Sequence, residues 1–345
     1  MSETKRTEIN ELGEFGLIDH LTSKFKNQNK STVYGVGDDA AVIDRGDYYE
    51  VVSTDLLVEG IHFDLSYTPL KHLGHKAISV NVSDIAAMNA IPEQVTVSVA
   101  LSNRASVEAM EELYAGIEQA CEDYKVDLIG GDTTSSFSGI MISVTAIGKV
   151  AKDKIVYRSG AQVGDVVCVS GELGAAYMGL QLLEREKQVF LDTPEMQPKL
   201  DGNEFNIGQL LKPKARVDII HDFEELKAVP NAMIDISDGL ASELHHLAKQ
   251  SNVGFNIFDE NVPVNNQTYE LALKFNIGPV TTAMNGGEDY QLLFTLSKEE
   301  YEKIKTHFDI VGIGEVVEAD QGVNLITKAK SSYPISAQGW NHFEE

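Results

Sequence analysis

The chain has 345 residues, 43% of them hydrophobic, and its 28 basic against 53 acidic residues give a net charge of −25. This charge excludes nucleic-acid binding, which needs a basic surface, and argues against attachment to an anionic membrane. The length predicts two domains, and no apolar run approaches the ~18 residues of a membrane-spanning helix. Because no apolar segment follows the polar residues 1–10, we expect a cytoplasmic protein.

In the first half of the chain, hydrophobic periodicity predicts helices alternating with strands. The helices cover residues 14–25, 70–89 and 106–124, and the strands cover 48–54, 94–101, 127–129 and 140–150. Ser106 is a good N-cap for the last of these helices. The polar, glycine-containing stretch 151–164 then predicts a boundary, with an N-terminal domain over residues 11–150 and a C-terminal domain over 151–345.

The second half continues as strands and helices on either side of a proline-containing polar segment at 192–213. Its predicted strands cover 165–170, 232–236, 254–258, 290–296 and 310–317, and its helices cover 173–184, 239–250, 266–275 and 298–308. Several strands adjoin without an intervening helix, which a doubly wound parallel sheet does not produce. The expected fold class is therefore α/β, with mixed sheets in two domains.

Six short segments place an acidic residue beside small or glycine residues, most of them directly after an apolar run. They are Gly37-Asp38-Asp39, Ser53-Thr54-Asp55, Val82-Ser83-Asp84, Gly130-Gly131-Asp132, Asp235-Ile236-Ser237-Asp238 and Gly286-Gly287-Glu288-Asp289. We expect these acids to lie where strands and helices end, and to converge on one site. Two carboxylates 4 Å apart repel by about 4 kcal/mol at an effective dielectric of 20, so such a cluster takes up protons or binds cations. With oxygen ligands alone the cation would be Mg²⁺ or a similar hard ion, usually held for a polyphosphate.

Each of these motifs also has a structural alternative. Asp84 lies on the buried stripe of the predicted helix 70–89, where a carboxylate is costly without a partner, and Asn81 is the structural candidate for that partner. The alternative for Ser237 or Asp238 is a helix N-cap. The glycine-acid segments are otherwise turns, and none is a Walker loop because no Gly-Lys-Ser/Thr follows.

Three further residues are candidates for the site, and each also has an ordinary structural explanation. Arg158 would ordinarily be a surface arginine, but in so acidic a protein it is a candidate phosphate clamp. The single tryptophan, Trp340, either packs onto the core or stacks on an aromatic cation. His62 follows Ser53-Thr54-Asp55 by seven residues and is otherwise a packed or exposed histidine.

Taken together and in this order, seven motifs resemble the thiamine-monophosphate kinases, a family of the aminoimidazole-ribonucleotide-synthetase-like (PurM-like) ATP-binding superfamily. The motifs are Gly-Val-Gly-Asp-Asp at 35–39, Ser-Thr-Asp-x-Leu-Val-x-Gly-x-His-Phe at 53–63, Asn-Val-Ser-Asp-Ile-Ala-Ala-Met at 81–88, Gly-Gly-Asp-Thr at 130–133, Tyr-Arg-Ser-Gly at 157–160, Asp-Ile-Ser-Asp-Gly-Leu at 235–240 and Gly-Gly-Glu-Asp-Tyr at 286–290. The match runs from Gly13 to about Phe343 with no departure at a site position.

The resemblance implies a fold, a partner and a set of site residues. It implies a PurM-like N-terminal domain that pairs in a homodimer, its sheets joining across the two-fold axis, and a larger C-terminal α/β domain. The implied magnesium ligands are Asp39, Ser53, Thr54, Asp55, Asp84, Asp132, Asp235 and Asp238, of which Asp55, Asp84, Asp132 and Asp238 also count as catalytic. The implied ATP contacts are Tyr114, Gly131, Asp132, Arg158 and Ser237, and the implied substrate contacts are His62, Glu288 and Trp340. It leaves the roles of Asp38 and Asp289 open.

The implied activity is ATP-dependent phosphorylation of thiamine monophosphate to thiamine diphosphate, with several Mg²⁺ ions and ATP as co-substrate. Two alternatives remain at this point. One is another PurM-like synthetase that activates a different acceptor with the same metals. The absence of any cysteine before Cys121 weighs against the selenophosphate synthetases of that superfamily. The other is a divalent-cation-binding protein without catalytic activity.

Overall fold

A computed structural model describes residues 9–336, which form two β-sheets and the helices packed on them. The first sheet contains β1 (Thr32–Tyr34), β2 (Ala41–Asp44), β3 (Tyr49–Val58), β4 (Ile91–Leu101), β5 (Asp127–Ser135) and β6 (Ile140–Val150). Its strand order is β1-β2-β3-β6-β4-β5, and the β4–β5 pair is parallel whereas the other pairs are antiparallel.

The second sheet has seven strands and is also mixed. Its strands are β7 (Val166–Ser170), β8 (Ala232–Asp235), β9 (Gly254–Phe258), β10 (Leu292–Leu296), β11 (Ile310–Val317), β12 (Val323–Ile326) and β13 (Ser332–Pro334). The order is β13-β12-β9-β11-β7-β10-β8, with the β9–β12 pair parallel. The two sheets confirm the predicted α/β class with mixed sheets, and the proposed domain boundary after residue 150 falls between β6 and β7.

Ten α-helices of varied length surround the sheets in the described part of the chain. They are α1 (Gly13–Thr22), α2 (Leu70–Ala87), α3 (Val107–Tyr124), α4 (Ala175–Asp192), α5 (Glu204–Leu211), α6 (Val217–Leu226), α7 (Leu240–Ser251), α8 (Asn266–Lys274), α9 (Pro279–Asn285) and α10 (Lys298–Ile304). Among residues 9–336, no helix combines the length and the apolar character that crossing a membrane requires.

Helix α2 joins the two halves of the molecule. It packs on β3, β4 and β6 of the first sheet and also contacts β8 of the second sheet. One continuous cluster of buried side chains extends from Val51 and Ile85 in the first half to Phe223 and Phe294 in the second. The polar side chains of α2 that are buried, such as Lys76, Asn81 and Ser83, therefore lie between the two sheets and out of bulk water.

Helices α2 and α3 approach so closely that each needs a glycine at the contact. A Cβ added to Gly116 would lie 1.9 Å from the carbonyl oxygen of Lys71, and one added to Gly74 would lie 2.0 Å from that of Leu113. Neither distance is compatible with a side chain, and the clashing atoms belong to rigid helical backbone. The α2–α3 distance, and with it the position of α2 under the first sheet, depends on these two glycines.

We expect Gly116→Ala to lower the free energy of unfolding by about 1–3 kcal/mol or more, because the methyl group forces the helices apart. The matched control is Gly208→Ala in α5, where an added Cβ meets nothing within 4 Å. That variant should be neutral or more stable by up to about 1 kcal/mol. Urea denaturation of both variants is the measurement, and equal losses would contradict the packing argument.

Candidate active site

Three carboxylates from distant parts of the chain meet beside α2. One oxygen each of Asp39, Asp84 and Asp235 lies within 4.8 Å of the other two. Asp39 follows β1, Asp84 lies in α2, and Asp235 is the last residue of β8. The predicted convergence of acids on a shared site is therefore present for these three residues.

Hydroxyl and guanidinium groups orient this three-aspartate cluster. Ser53 Oγ donates to Asp84 Oδ2 at 2.5 Å, and Ser83 Oγ donates to Asp235 Oδ2 at 2.5 Å. Arg158 Nη2 donates to Asp39 Oδ1 at 2.6 Å. The other oxygen of Asp39, Oδ2, is buried and has no hydrogen-bond partner within residues 9–336. A buried anionic oxygen without a donor marks a place where a cation would be stabilised.

The pKa values of the cluster also indicate a cation site. Burial raises the pKa of Asp84 well above its usual range, and the charges of Asp55 and Asp235 raise it further. Burial, followed by the charge of Asp39, raises the pKa of Asp235 to about 7. These groups resist simultaneous ionisation, so near neutral pH the cluster holds either protons or metal cations. Its donors are all oxygen atoms, which suits a hard divalent ion.

Asp38 lies next to the cluster and accepts from the main chain of Arg158, the residue whose guanidinium donates to Asp39. Both of its carboxylate oxygens accept the backbone N–H of Arg158 at 3.2 Å. Burial raises the pKa of Asp38 to about 7, with the Asp39 charge as the second cause. Asp38 thus fixes the main chain of Arg158, while Asp39 fixes its guanidinium.

Asp55 lies inside β3 and not at its end, which corrects the expectation that the acids terminate their elements. The strand continues to Val58 because Leu56 to Val58 pair with Met141 to Ser143 of β6. Alternation along the strand points Ser53 and Asp55 to the side of the buried Val51, towards α2. Asn81 Oδ1 accepts the backbone N–H of Asp55 at 2.9 Å, so Asn81 supports β3 and is not the partner of Asp84.

Thr54 and His62 have local hydrogen bonds away from the three-aspartate cluster. By the same alternation, Thr54 points to the opposite face of the sheet, where its hydroxyl donates to the carbonyl oxygen of Val144 at 2.9 Å. His62 lies in the turn after β3, and its Nδ1 accepts the backbone N–H of Val58 at 3.0 Å. These hydrogen bonds tie both side chains to the backbone of the first sheet.

Asp132 lies within the exposed edge strand β5 and not after a strand end, and it is not part of the three-aspartate cluster. It borders a cavity of about 450 Å³ between β5 and α3. The cavity is lined by Val97, Tyr114, Leu128, Gly130, Gly131, Asp132 and Thr133. Three of the predicted ATP contacts, Tyr114, Gly131 and Asp132, therefore share one cavity. Gly131 lies in the same cross-strand row as Asp55, three strand spacings or about 14 Å away.

Two loops of the second half pack backbone against backbone beside the cluster. The N–H of Glu288 donates to the carbonyl oxygen of Ser237 at 2.7 Å. A Cβ on Gly287 would lie 2.2 Å from that same oxygen, so only glycine fits there. The N-cap of α7 is Gly239, without a side-chain cap bond, so the alternative that Ser237 or Asp238 caps this helix is wrong. The N–H of Asp238 instead donates to Glu243 Oε1 at 3.0 Å.

Asp289, whose role the sequence leaves open, holds the beginning of α4. Its buried carboxylate accepts the backbone N–H of Gly174 at 2.6 Å and that of Ala176 at 3.3 Å. Burial raises its pKa to about 7. Because Asp289 occupies these donors, the glycine-rich start of α4 offers no free anion site.

The structure also contains polar residues beside the site that the sequence did not single out. Lys76, on the same face of α2 as Ser83 and Asp84, forms an ion pair with Glu288 of the second half. Glu243 is buried, and burial together with the Asp238 charge raises its pKa well above the usual range. A lysine within a buried helical stripe is the signal that could have revealed Lys76. Trp340 lies outside the described residues.

Known proteins match this chain along most of its length. Family models described as AIR synthase related protein, N-terminal domain and C-terminal domain, match residues 37–150 and 162–324. The thiamine-monophosphate kinase of Aquifex aeolicus (strain VF5) is 37% identical, over 97% of this chain and 99% of its own length. That of Bacillus subtilis (strain 168) is 33% identical, over 96% of this chain and 100% of its own length.

A solved structure gives the same result at the level of the fold. The structure described as AaThiL complexed with AMPPCP and TMP aligns with a TM-score of 0.82 at 36% sequence identity. The alignment covers 99% of this chain and 100% of that one. On these identities and this coverage, the chain belongs to the thiamine-monophosphate kinase family.

Proposed function

We propose that the three-aspartate cluster is where this enzyme, an ATP-dependent kinase of thiamine monophosphate, transfers the γ-phosphoryl group of ATP. Family membership supports the activity, and the relative structure is described as a complex with AMPPCP and TMP. The observation that carries the location is the meeting of Asp39, Asp84 and Asp235 within 4.8 Å, with a buried Asp39 oxygen that lacks a donor. Such a set binds cations that accompany phosphates.

The reaction is a direct in-line transfer in this proposal. A phosphate oxygen of thiamine monophosphate forms a bond to the γ-phosphorus of ATP. The bond from that phosphorus to the β–γ bridging oxygen breaks, its electron pair stays on ADP, and the product is thiamine diphosphate. The acceptor is a phosphate monoester with a second pKa near 6, so it is largely ionised at pH 7 and needs no general base.

The residues of the cluster fit Mg²⁺. Asp39, Asp84 and Asp235 would hold it, with the hydroxyl of Ser53 and the carboxylates of Asp55 and Asp238 from adjoining segments. When bound, Mg²⁺ neutralises the repulsion between the two polyanions and the charge of the loose transition state. The hydroxyl of Thr54 is bonded to Val144, so its assignment as a ligand is the least supported by the contacts.

The nucleotide would extend from the β5–α3 cavity towards the cluster. Tyr114 and Gly131 line the cavity, and Asp132 at its border would hold a further Mg²⁺ with the nucleotide phosphates. Arg158, only 16% exposed and bonded to Asp39, places a fixed guanidinium at the edge of the cluster. Arg158 and Ser237 would contact the phosphates there, since a planar guanidinium pairs well with phosphate oxygens.

The acceptor would bind on the opposite side, near Glu288. Its phosphate would face the cluster and its cationic ring system would face the Glu288 carboxylate. His62 and Trp340 complete the proposed contacts, with Trp340 stacking on a ring of the acceptor.

The test of this function is ADP release by the full chain with ATP and thiamine monophosphate. We expect turnover in Mg²⁺ and its loss to background in excess chelator, with full recovery when Mg²⁺ is restored. ADP release without thiamine monophosphate should be at least about a hundredfold slower, because the acceptor phosphate is the attacking group. Quantifying thiamine diphosphate alongside ADP should give one product per ADP.

The two alternatives give other results in the same assay. Another PurM-like synthetase would release ADP with formylglycinamidine ribonucleotide or selenide and not with thiamine monophosphate. A cation-binding protein without catalytic activity would bind Mg²⁺ and release no ADP with any acceptor. Either outcome would refute the proposed function.

We further propose that the protein is a homodimer that pairs through the first sheet. Helix α2 covers one face of this sheet, and no described helix packs along the other, which we call the open face. The middle of the open face presents the uncharged side chains of Val52, Thr54, Leu56, Thr96, Ser98, Ala100, Met141, Ser143, Thr145 and Ile147, while Glu50, Lys149 and Asp132 lie on the same face at its margins. The edge strand β5 is exposed along its whole length. A sheet face that is uncharged over its central strands, beside an open edge, is a surface that proteins normally cover.

Charge on the open face should dissociate such a dimer. We expect Leu56→Lys to shift the protein towards the monomer mass in light scattering, because lysine cannot be desolvated against the partner sheet. Leu273→Lys on α8 is the matched control, since the two leucines are 53% and 54% exposed. Equal masses for the two variants and the unmodified protein would argue against pairing through the open face.

A further inference from the structure

Lys76 is a buried cation at the border between the two halves of the molecule. Its side chain is only 3% exposed, although it belongs to the ion pair with Glu288 of the second half. An ammonium group is strongly disfavoured in such a place unless a specific anion compensates it. Helix α2 could bury an apolar residue at this position, so packing alone does not account for the lysine.

Glu288 is held from three sides. Its Oε2 pairs with Lys76 Nζ, and its Oε1 accepts the hydroxyl of the buried Tyr290 at 3.2 Å. Its backbone adopts φ 68°, a left-handed conformation that non-glycine residues rarely keep without support. The hydrogen bond from its N–H to the Ser237 carbonyl supplies that support. The direction of the carboxylate is therefore determined by its surroundings.

The carboxylate nevertheless retains free binding capacity. The side chain of Glu288 is 29% exposed, unlike that of Lys76. An ionised carboxylate has about four lone-pair sites, and Lys76 and Tyr290 use two of them. The remaining sites can accept an amino group or face a cationic ring.

Helix geometry relates this pair to the three-aspartate cluster. Lys76 and Asp84 are eight residues apart on one face of α2, which corresponds to about 12 Å along the helix. The two ends of that face thus offer different chemistry: an oriented carboxylate backed by a lysine at one end, and a cation-binding cluster at the other. A molecule with a cationic ring and a phosphate matches this separation of sites.

We infer that Lys76 is a positioning residue for the acceptor substrate: it holds Glu288 in the orientation that receives the ring system of thiamine monophosphate. This inference rests on the proposed function. In it, Lys76 touches neither the nucleotide nor the transferred phosphoryl group. Its removal should weaken binding of the acceptor and leave the chemical step and the nucleotide site unchanged.

The experiment is steady-state kinetics on Lys76→Met, which keeps the length of the side chain and removes its charge. We expect KM for thiamine monophosphate to rise about 10- to 100-fold, because Glu288 loses the partner that fixes it. The kcat value and KM for ATP should stay within about threefold of the unmodified enzyme. Lys76→Arg should recover most of the affinity, because it restores a cation.

Two further variants keep the inference testable if Lys76→Met folds poorly. Tyr290→Phe removes the other hydrogen bond to Glu288 and should raise KM for thiamine monophosphate about two- to tenfold, with KM for ATP unchanged. Combining Lys76→Met with Glu288→Gln should be no worse than the weaker-binding single variant, because both act through one carboxylate.

Results that would contradict the role of Lys76 can be told apart from a failure of the proposed function. If the unmodified enzyme releases ADP with thiamine monophosphate but Lys76→Met lowers kcat or raises both KM values equally, Lys76 acts on the phosphates or on the fold and the inference is wrong. Multiplicative effects of the Lys76 and Glu288 substitutions would also overturn it. If the unmodified enzyme releases no ADP, the proposed function fails first.

Discussion

Asp84→Asn should abolish most of the activity and at the same time make the metal-free protein more stable. Asparagine can still accept the Ser53 hydroxyl, but it removes a charge that lies beside Asp39, Asp55 and Asp235. We expect turnover to fall at least about a hundredfold, the usual cost of removing one preorganised electrostatic group. In excess chelator, the free energy of unfolding should rise by about 1–2 kcal/mol, because asparagine is neutral without taking up the proton that burial and the neighbouring carboxylates impose on Asp84.

Asp309→Asn is the control. It is the same aspartate-to-asparagine substitution, but we expect it to lower the free energy of unfolding and not to raise it. Asp309 pairs with Arg216, whose side chain is 5% exposed and lies away from the cluster. Removing this charge leaves a buried guanidinium undercompensated, so stability should fall by about 1–3 kcal/mol while turnover stays within about threefold. Normal turnover in Asp84→Asn, or a loss of metal-free stability in both variants, would refute the proposed role of Asp84.

The convergence of acids is predictable because carboxylates beside glycines, repeated after several apolar runs, are typical of a shared cation site. Their local setting is not predictable in the same way. Asp55 and Asp132 look like residues at strand ends, yet β3 and β5 continue past them. A strand continues where a neighbouring strand offers hydrogen-bond partners, and those partners come from β6 and β4. Local turn propensity at Gly130-Gly131 is overruled by that pairing.

Short elements are the main difference between the predicted and the observed fold, since the strands β1, β2, β12 and β13 and several short helices are not predicted. The sequence predicts a polar, irregular segment at 192–213, yet this segment contains α5, and neither α6 nor α9 is predicted. Helices of seven to ten residues are marginal by themselves and depend on tertiary packing. The buried face of α5 includes Asn206, which is hydrogen-bonded to Thr268. Because this buried position is polar, the apolar periodicity of α5 is interrupted in the sequence.

Sequence patterns also cannot identify the partner of a charged residue when that partner is far away in the sequence. Lys76 and Glu288 are 212 residues apart, and Asp289 bonds to backbone 115 residues away. Two adjacent acids, Glu288 and Asp289, therefore have different tasks that the motif alone cannot separate. The glutamate pairs with Lys76 and Tyr290, whereas the aspartate holds the beginning of α4.

The raised pKa values also predict how metal-free stability depends on pH. Asp235 has a pKa of about 7 in the folded protein against about 3.9 when unfolded. Between these values the folded state binds more protons, so this group's contribution favours folding at low pH and is lost as pH rises through 7. His75 and His246, with pKa lowered to about 4, act in the opposite direction below pH 6.5. The free energy of unfolding in chelator should therefore be measured between about pH 6.5 and 8, and we expect it to fall over this range.

Binding of Mg²⁺ to the nucleotide-free enzyme should strengthen over the same range. The metal must displace the proton from Asp235, and a group with a pKa near 7 is about one-tenth ionised at pH 6 and nine-tenths ionised at pH 8. The dissociation constant measured by calorimetry should fall about tenfold from pH 6 to pH 8, and further if Asp84 also releases a proton. In Asp235→Asn, where this proton is absent, binding should be weak at both pH values and its pH dependence should flatten. A dissociation constant that does not change between pH 6 and pH 8 would mean that Mg²⁺ does not bind at the three-aspartate cluster, and the proposed position of phosphoryl transfer would then be wrong.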